Sequence, residues 1–264
     1  MSIYLDEKNP GKHKPFEDAS PDVVAYVRYL EVIAGKSANT AFSYYCDLRG
    51  FSRFMKRRRG LVPADCEMKD IDPKGLDAAF WASVTKEDIY EYLYFLGSEC
   101  GNKKSSTARR LASLHGFYDY LVNQVNKLEA DPTAAIHPPK QDKVLPKYLT
   151  AEQSMDLLES TQFQSDFPER DYCMVVLFLN CGMRLAELVG MDLEDIDLEN
   201  RQIRLFGKGH KERMVYLNDA CMEALQLYLN KRNTMEGLLP KERAVFITRR
   251  RKERIGNRRV EQLV

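Results

Sequence analysis

The chain has 264 residues, 44% of them hydrophobic and 10% aromatic, with 40 basic and 39 acidic side chains for a net charge of +1. That length and apolar content suit two domains that each bury a core, and exclude a chain too polar to fold. No apolar run approaches the roughly 20 residues of a membrane span, and the polar start MSIYLDEKNPGKHKPFEDASPD is unlike a secretory leader, so a cytoplasmic protein with no membrane partner is expected.

Residues 1–19 read as an N-terminal tail. Ser20 is placed to cap a helix with Pro21 at its first position, and Val23, Val24, Val27, Leu30 and Ile33 then share one face. A second helix is predicted from about Ser37 to Arg59, with Phe42, Tyr45, Leu48, Phe51, Phe54 and Met55 as its apolar side and KRRRG at its end, where cations suit the helix dipole. The Pro/Asp/Gly-rich stretch 61–77 is a loop. Thr85 and Asp88 form a capping box for KEDIYEYLYFLG, and SSTARRLASLHGFYDYLVNQV lines up Leu111, Leu114, Phe117, Tyr118 and Leu121. His115, beside that face, reads as packed or solvated. Residues 20–130 are thus a four-helix domain. Residues 131–149 hold the prolines of a connector.

The second domain, 150–264, opens with a Thr150–Gln153 capping box, followed by the apolar helix DYCMVVLFLNCG with Gly182 at its C-terminal cap, and then MRLAELVG. Past the acidic turn DLEDIDLEN, the alternating segments RQIRLF and RMVYL flank GKGHKE as strand, turn and strand. Asn218 caps DACMEALQLYLNKR. AVFIT is predicted as a short third strand ahead of RRRKERIGNRRVEQLV. The fold class is mainly α with a small antiparallel sheet.

Six scattered cysteines without a C-x-x-C pair predict small buried thiols, no metal site and no cofactor. The near-zero net charge hides segregation: residues 101–150 carry 8 basic and 4 acidic side chains, 151–200 carry 2 and 12, and 201–264 carry 16 and 7. Basic blocks flanking an acidic one point to surfaces that meet a polyanion, with solvated helix faces as the alternative.

Arg184 stands near a helix start, where a positive charge opposes the dipole. A carboxylate one turn along, Glu187, or a bidentately held phosphate would compensate it. FGKGHKER, residues 206–213, admits three readings: a phosphate cradle, a catalytic His-x-x-Arg pair of His210 and Arg213, or a hairpin turn. The flanking alternation favours the hairpin, with Gly207 and Gly209 reversing the backbone.

In order, LFLNCGMRLAELVGMDLEDIDLENRQIRLFGKGHKERMVYLND resembles the first half of the catalytic domain of tyrosine recombinases, the phage-integrase and Xer-type site-specific recombinases. SSTARRLASLHGFYDYL and DPTAAIHPPKQDKVLPKYLT resemble that family's core-binding domain and interdomain connection. The resemblance implies a SAM-like, four-helix core-binding domain and a partial α+β catalytic domain, the two clamping duplex DNA. It implies no cofactor, no small-molecule substrate, and further recombinase protomers as partners in a tetramer on DNA. In this family a tyrosine attacks a DNA phosphodiester to give a 3′-phosphotyrosyl link. The resemblance assigns Arg184 to the non-bridging oxygens, Glu187 to a supporting position, and Lys208 to protonating the leaving oxygen.

The family also uses a later His/Lys-x-x-Arg box, a later His or Trp, and the nucleophile. Only Tyr216 and Tyr228 follow Lys208, one on a hairpin strand and one on an apolar helix face. The chain is therefore expected to bind DNA without cleaving it, as a truncated form of an active recombinase. The alternatives are a naturally truncated, non-catalytic DNA-binding regulator of a recombination site and a helical protein-interaction scaffold. Ser105, Thr107, Arg109 and Arg110 at a helix start, with Lys103, Lys104, Lys211, Arg213, Arg249 and Arg250, are the candidate DNA contacts.

Overall fold

Local sequence sets most helix boundaries, and tertiary partners set the rest. The computed structural model describes residues 5–6, 9–13, 16, 18–63, 65–138, 140, 145, 148–207 and 211–263. The chain divides into two units, Met1–Val144 and Leu145–Val264. Among the described residues, no helix is long and apolar enough to cross a membrane.

The first unit begins with a short antiparallel hairpin, β1 (Leu5–Asp6) and β2 (Asn9–His13), within the expected tail. Helix α1 (Pro21–Val32) starts with Pro21 at its first position and an extended Ser20 before it. Helix α2 (Ala38–Arg58) is capped by Ser37, whose hydroxyl accepts from the Thr40 N–H. A short helix α3 (Ala78–Ala82), which periodicity alone does not reveal, carries Trp81 into the core. In α4 (Lys86–Ser98) both halves of the Thr85–Asp88 capping box are formed. Helix α5 (Lys104–Asp119) runs into a π-helical turn at Tyr120–Gln124.

Aromatic rings dominate this core. Trp81 is fully buried and meets Phe117 edge-on at 5.0 Å, while Phe51 meets Tyr92 edge-on, also at 5.0 Å. The KRRR sequence does more than face a helix dipole: Arg58 and Arg59 both grip the Asp88 carboxylate, tying the end of α2 to the start of α4. The expected connector begins later than residue 131. Thr133 and Ile136 are buried, and His115 bridges the Thr133 hydroxyl at 2.9 Å and the Ile136 carbonyl at 3.1 Å, so residues 131–136 are packed on α5.

In the second unit, the Thr150–Gln153 box starts α6 (Ala151–Gln164). Helix α7 (Pro168–Cys181) packs on α6 and on α9 (Asp219–Asn233), which Asn218 caps. Between α7 and α9 lie α8 (Leu185–Gly190) and a three-stranded antiparallel sheet in the order β3 (Ile196–Asp197), β4 (Gln202–Phe206), β5 (Glu212–Tyr216). Ile203, Leu205 and Val215 point from the sheet into a core with Leu177, Leu188, Leu225 and Phe246.

The third strand is not AVFIT, as sequence alternation suggests, but Ile196–Asp197, paired with Ile203 and Gln202. Residues 244–247 are fully buried, yet they make only single bridges, Asp192 to Ala244 and Ile247 to Arg254. Side chains and a loop take their backbone groups instead. Arg232 donates to the Ala244 and Val245 carbonyls, the Tyr228 hydroxyl donates to the Val245 carbonyl at 2.9 Å, and the Val245 N–H reaches the Met191 carbonyl. Past the 244–247 segment, Asn257–Glu261 forms a short helix, α10.

Candidate active site

Helix α7 stops because Gly182 takes a left-handed conformation, φ 54°, which a side chain would strain. Met183 is then buried, and Arg184 stands as the extended N-cap of α8. Its partner is the one sequence offered. The Arg184 backbone N–H donates to Glu187 Oε2 at 2.8 Å, and its Nη1 donates to Oε1 at 2.7 Å. Glu187 therefore caps the helix and compensates the charge at once.

The pair is asymmetric in exposure. The Glu187 side chain is 1% exposed and that of Arg184 is 74% exposed, so the carboxylate is an internal anchor and the guanidinium faces solvent.

A third member comes from β5. Arg213 Nη2 donates to Glu187 Oε2 at 2.6 Å and to the Gly182 carbonyl at 3.1 Å, and Nε reaches Oε1 at 3.4 Å. These donors, led by Arg213, hold the Glu187 carboxyl down at about 2, against the effect of its burial. The carboxylate is ionised throughout the neutral range.

The base of the hairpin lies against this cluster. The Gly207 N–H closes the turn on the Lys211 carbonyl at 2.8 Å, and a methyl group on Gly207 would sit 3.5 Å from Glu187 Oε1 and 3.8 Å from Arg184 Nη1. Gly207 thus stands at the foot of the turn, beside the Arg184–Glu187 pair. Lys208, Gly209 and His210 lie outside the described residues. Lys211 is exposed at the foot of the same loop.

Of the two late tyrosines, one is built into the core. Tyr228 is fully buried, its hydroxyl accepts from the Ile247 N–H at 3.2 Å, and burial pushes it up to about 12. Tyr216 is exposed on β5.

The candidate DNA contacts separate into groups. At the start of α5, Lys103, Lys104 and Ser105 are exposed, whereas Thr107 is buried and serves the core. Arg109 and Arg110 both turn to Asp47 on α2, a buried carboxylate that the sequence reading passed over. Arg109 is hydrogen-bonded to it, and Arg110 sits 3.8 Å away while donating to the Tyr92 hydroxyl at 3.4 Å. A lone acid next to the apolar positions Tyr45 and Leu48 was the available signal. Arg249 and Arg250 are exposed in the turn after the buried 244–247 segment, with Arg249 bonded to the Asp166 carbonyl. Among the described residues no cluster of three metal-ligating side chains occurs, and all six cysteines are free thiols.

An arginine fixed by a buried carboxylate at a helix start, beside a glycine-rich hairpin and preceded by a helical unit, defines a class. The phage integrase family model matches residues 147–264. Over 92% of this chain, a tyrosine recombinase XerC from Caldanaerobacter subterraneus subsp. tengcongensis is 39% identical and is covered over 67% of its own length. A XerC from Myxococcus xanthus is 34% identical over 85% of this chain and 68% of its own. The chain belongs to the phage integrase family of tyrosine recombinases, and it spans about two thirds of the length of these relatives. In fold it is similar to a lambda integrase solved as a tetramer bound to a Holliday junction, with a TM-score of 0.62 and 16% identity over 91% of this chain and 62% of that one.

Proposed function

We propose that this chain is the DNA-binding and phosphate-clamping part of a site-specific tyrosine recombinase, which breaks and rejoins duplex DNA through a 3′-phosphotyrosine. The observation that carries the reading is the exposed Arg184 guanidinium held by buried Glu187 against the base of the hairpin. When a tyrosine hydroxyl attacks the phosphorus, the bond to the 5′-oxygen breaks and charge accumulates on the non-bridging oxygens. Arg184 stabilises that charge. Such a preorganised donor is worth about 10²–10³ in rate.

Lys208, which lies between β4 and β5 in the sequence, donates a proton to the departing 5′-oxygen, releasing a hydroxyl. Lys103, Lys104, Ser105, Arg109, Lys211, Arg249 and Arg250 follow the DNA backbone, and further protomers complete the assembly on DNA. The attacking tyrosine is not supplied by this chain: the burial of Tyr228 and the sheet position of Tyr216 favour that reading.

A nicked suicide duplex tests the nucleophile. Stable non-covalent binding is expected, and a covalent protein–DNA adduct would overturn the assignment. Contact with about six to ten phosphates requires affinity to fall about 10³–10⁵-fold between roughly 50 and 200 mM salt. A flat salt response in a gel shift would remove DNA as the partner.

A further inference from the structure

The phosphate-facing arginine has an electrostatic problem that Arg184 and Glu187 alone do not solve. A guanidinium bonded to one carboxylate forms a neutral pair, and a neutral pair attracts an anion weakly. Glu187 has a second guanidinium. Arg213 contacts both carboxylate oxygens from the opposite element, and its Nη2 also fixes the Gly182 carbonyl, so two of its three nitrogens are committed to the frame of the site. The cluster of two arginines and one glutamate carries a net single positive charge, and the exposed member is Arg184.

We propose that Arg213 is a positioning residue for the phosphate clamp. From the hairpin strand it neutralises and fixes the Glu187 carboxylate, leaving Arg184 with an uncompensated charge and a fixed direction. The proposal rests on the reading that Arg184 holds a DNA phosphate. It replaces the sequence expectation that Arg213 touches phosphate directly. It also gives β5 a task in the chemistry: the strand that returns from Lys208 is the one that ties the hairpin to the arginine loop, through Arg213 to Glu187 and Gly182.

Inorganic phosphate is the simplest probe. It is titrated into the full 264-residue chain at constant ionic strength, with the Arg184 Nε–H followed by NMR. In the unaltered chain the Arg184 resonance should shift and saturate. Arg213→Gln should weaken that binding about tenfold, the loss expected for a charge-assisted contact, and Arg213→Lys should recover most of it.

A carbon-detected titration of the Glu187 carboxyl separates this role from general damage to the fold. In the unaltered chain it stays ionised at pH 4; in Arg213→Gln it should be partly protonated there, with amide resonances outside the α7–α8 turn unchanged. If Arg184 binds phosphate equally well in Arg213→Gln, the positioning role is wrong while the clamp stands. If phosphate leaves Arg184 unmoved even in the unaltered chain, the clamp reading falls and the positioning role falls with it.

Discussion

Each unit contains a buried carboxylate that receives two arginines, and the two carboxylates behave in opposite ways. Asp47, between α2 and α5, is pushed up to about 6 because burial outweighs the attraction of Arg109 and Arg110. Glu187 is held near 2 although its side chain is 1% exposed. Burial and hydrogen bonding both differ: burial is the largest influence on Asp47 and comes second to the Arg213 hydrogen bond at Glu187. Glu187 accepts from a backbone N–H and from Nη1, Nη2 and Nε of two arginines, whereas Arg110 stands 3.8 Å from Asp47 and spends its hydrogen bond on Tyr92. A buried acid stays ionised where directed donors outweigh the cost of burial, as at Glu187, and not where burial outweighs them, as at Asp47.

The largest expected effect is on pH dependence. Asp47 ionises at an ordinary value of 3.8 when unfolded and at about 6 when folded. Between those values the folded chain keeps a proton that the unfolded chain has released, so the first unit loses stability as pH rises from 4 to 6, by about 3 kcal/mol, and is level above that. Asp47→Asn should flatten this slope and hold or raise stability at pH 7. Trp81, the one tryptophan of the chain, is buried in that unit, so its fluorescence in urea titrations follows the transition. An unchanged slope in Asp47→Asn would refute the assignment. Glu187 has the opposite sign. Its contribution is present above its unfolded value of 4.5 and is lost as pH falls towards 2.

Next in size, Glu187→Gln should cost the second unit about 2–3 kcal/mol at pH 7, the range for hydrogen bonds to a charged group. Far-UV circular dichroism should record the loss while the Trp81 transition keeps its midpoint. Equal costs for Glu187→Gln and Asp47→Asn would erase the contrast between the two carboxylates. The smallest effect is at the hairpin base. Gly207→Ala places its methyl in ordinary contact, 3.4–3.8 Å from Lys211, Glu187 and Arg184, so less than about 1 kcal/mol should be lost when unfolding of the second unit in urea is followed by far-UV circular dichroism.

The features that could be read in sequence are those decided within a few residues. The capping boxes at Thr85 and Thr150, the left-handed Gly182 and the β4–β5 hairpin all follow from local hydrogen-bonding needs. The Arg184–Glu187 pair was legible for the same reason, since one turn of helix fixes its spacing. Longer-range features were not. Asp47 gains its meaning from Arg109, 62 positions away, and Arg213 from Glu187, 26 positions away. AVFIT alternates like a strand, yet Arg232 and Tyr228 supply its partners, and the real third strand hides in an acidic turn.

The staple formed by Arg254 sets an order of events. This residue donates to the Val189 carbonyl at 2.8 Å and the Met191 carbonyl at 3.1 Å, and it pairs with Asp192, closing the segment that follows α8. About sixty residues of chain separate the two halves of that closure, whereas the first unit ends near residue 144. On a ribosome adding about 5–20 residues per second, the helical unit has its whole sequence available for seconds before the arginine loop can be locked. A nascent chain caught in that interval holds every residue of the helical unit but not yet the arginine that closes the segment after α8.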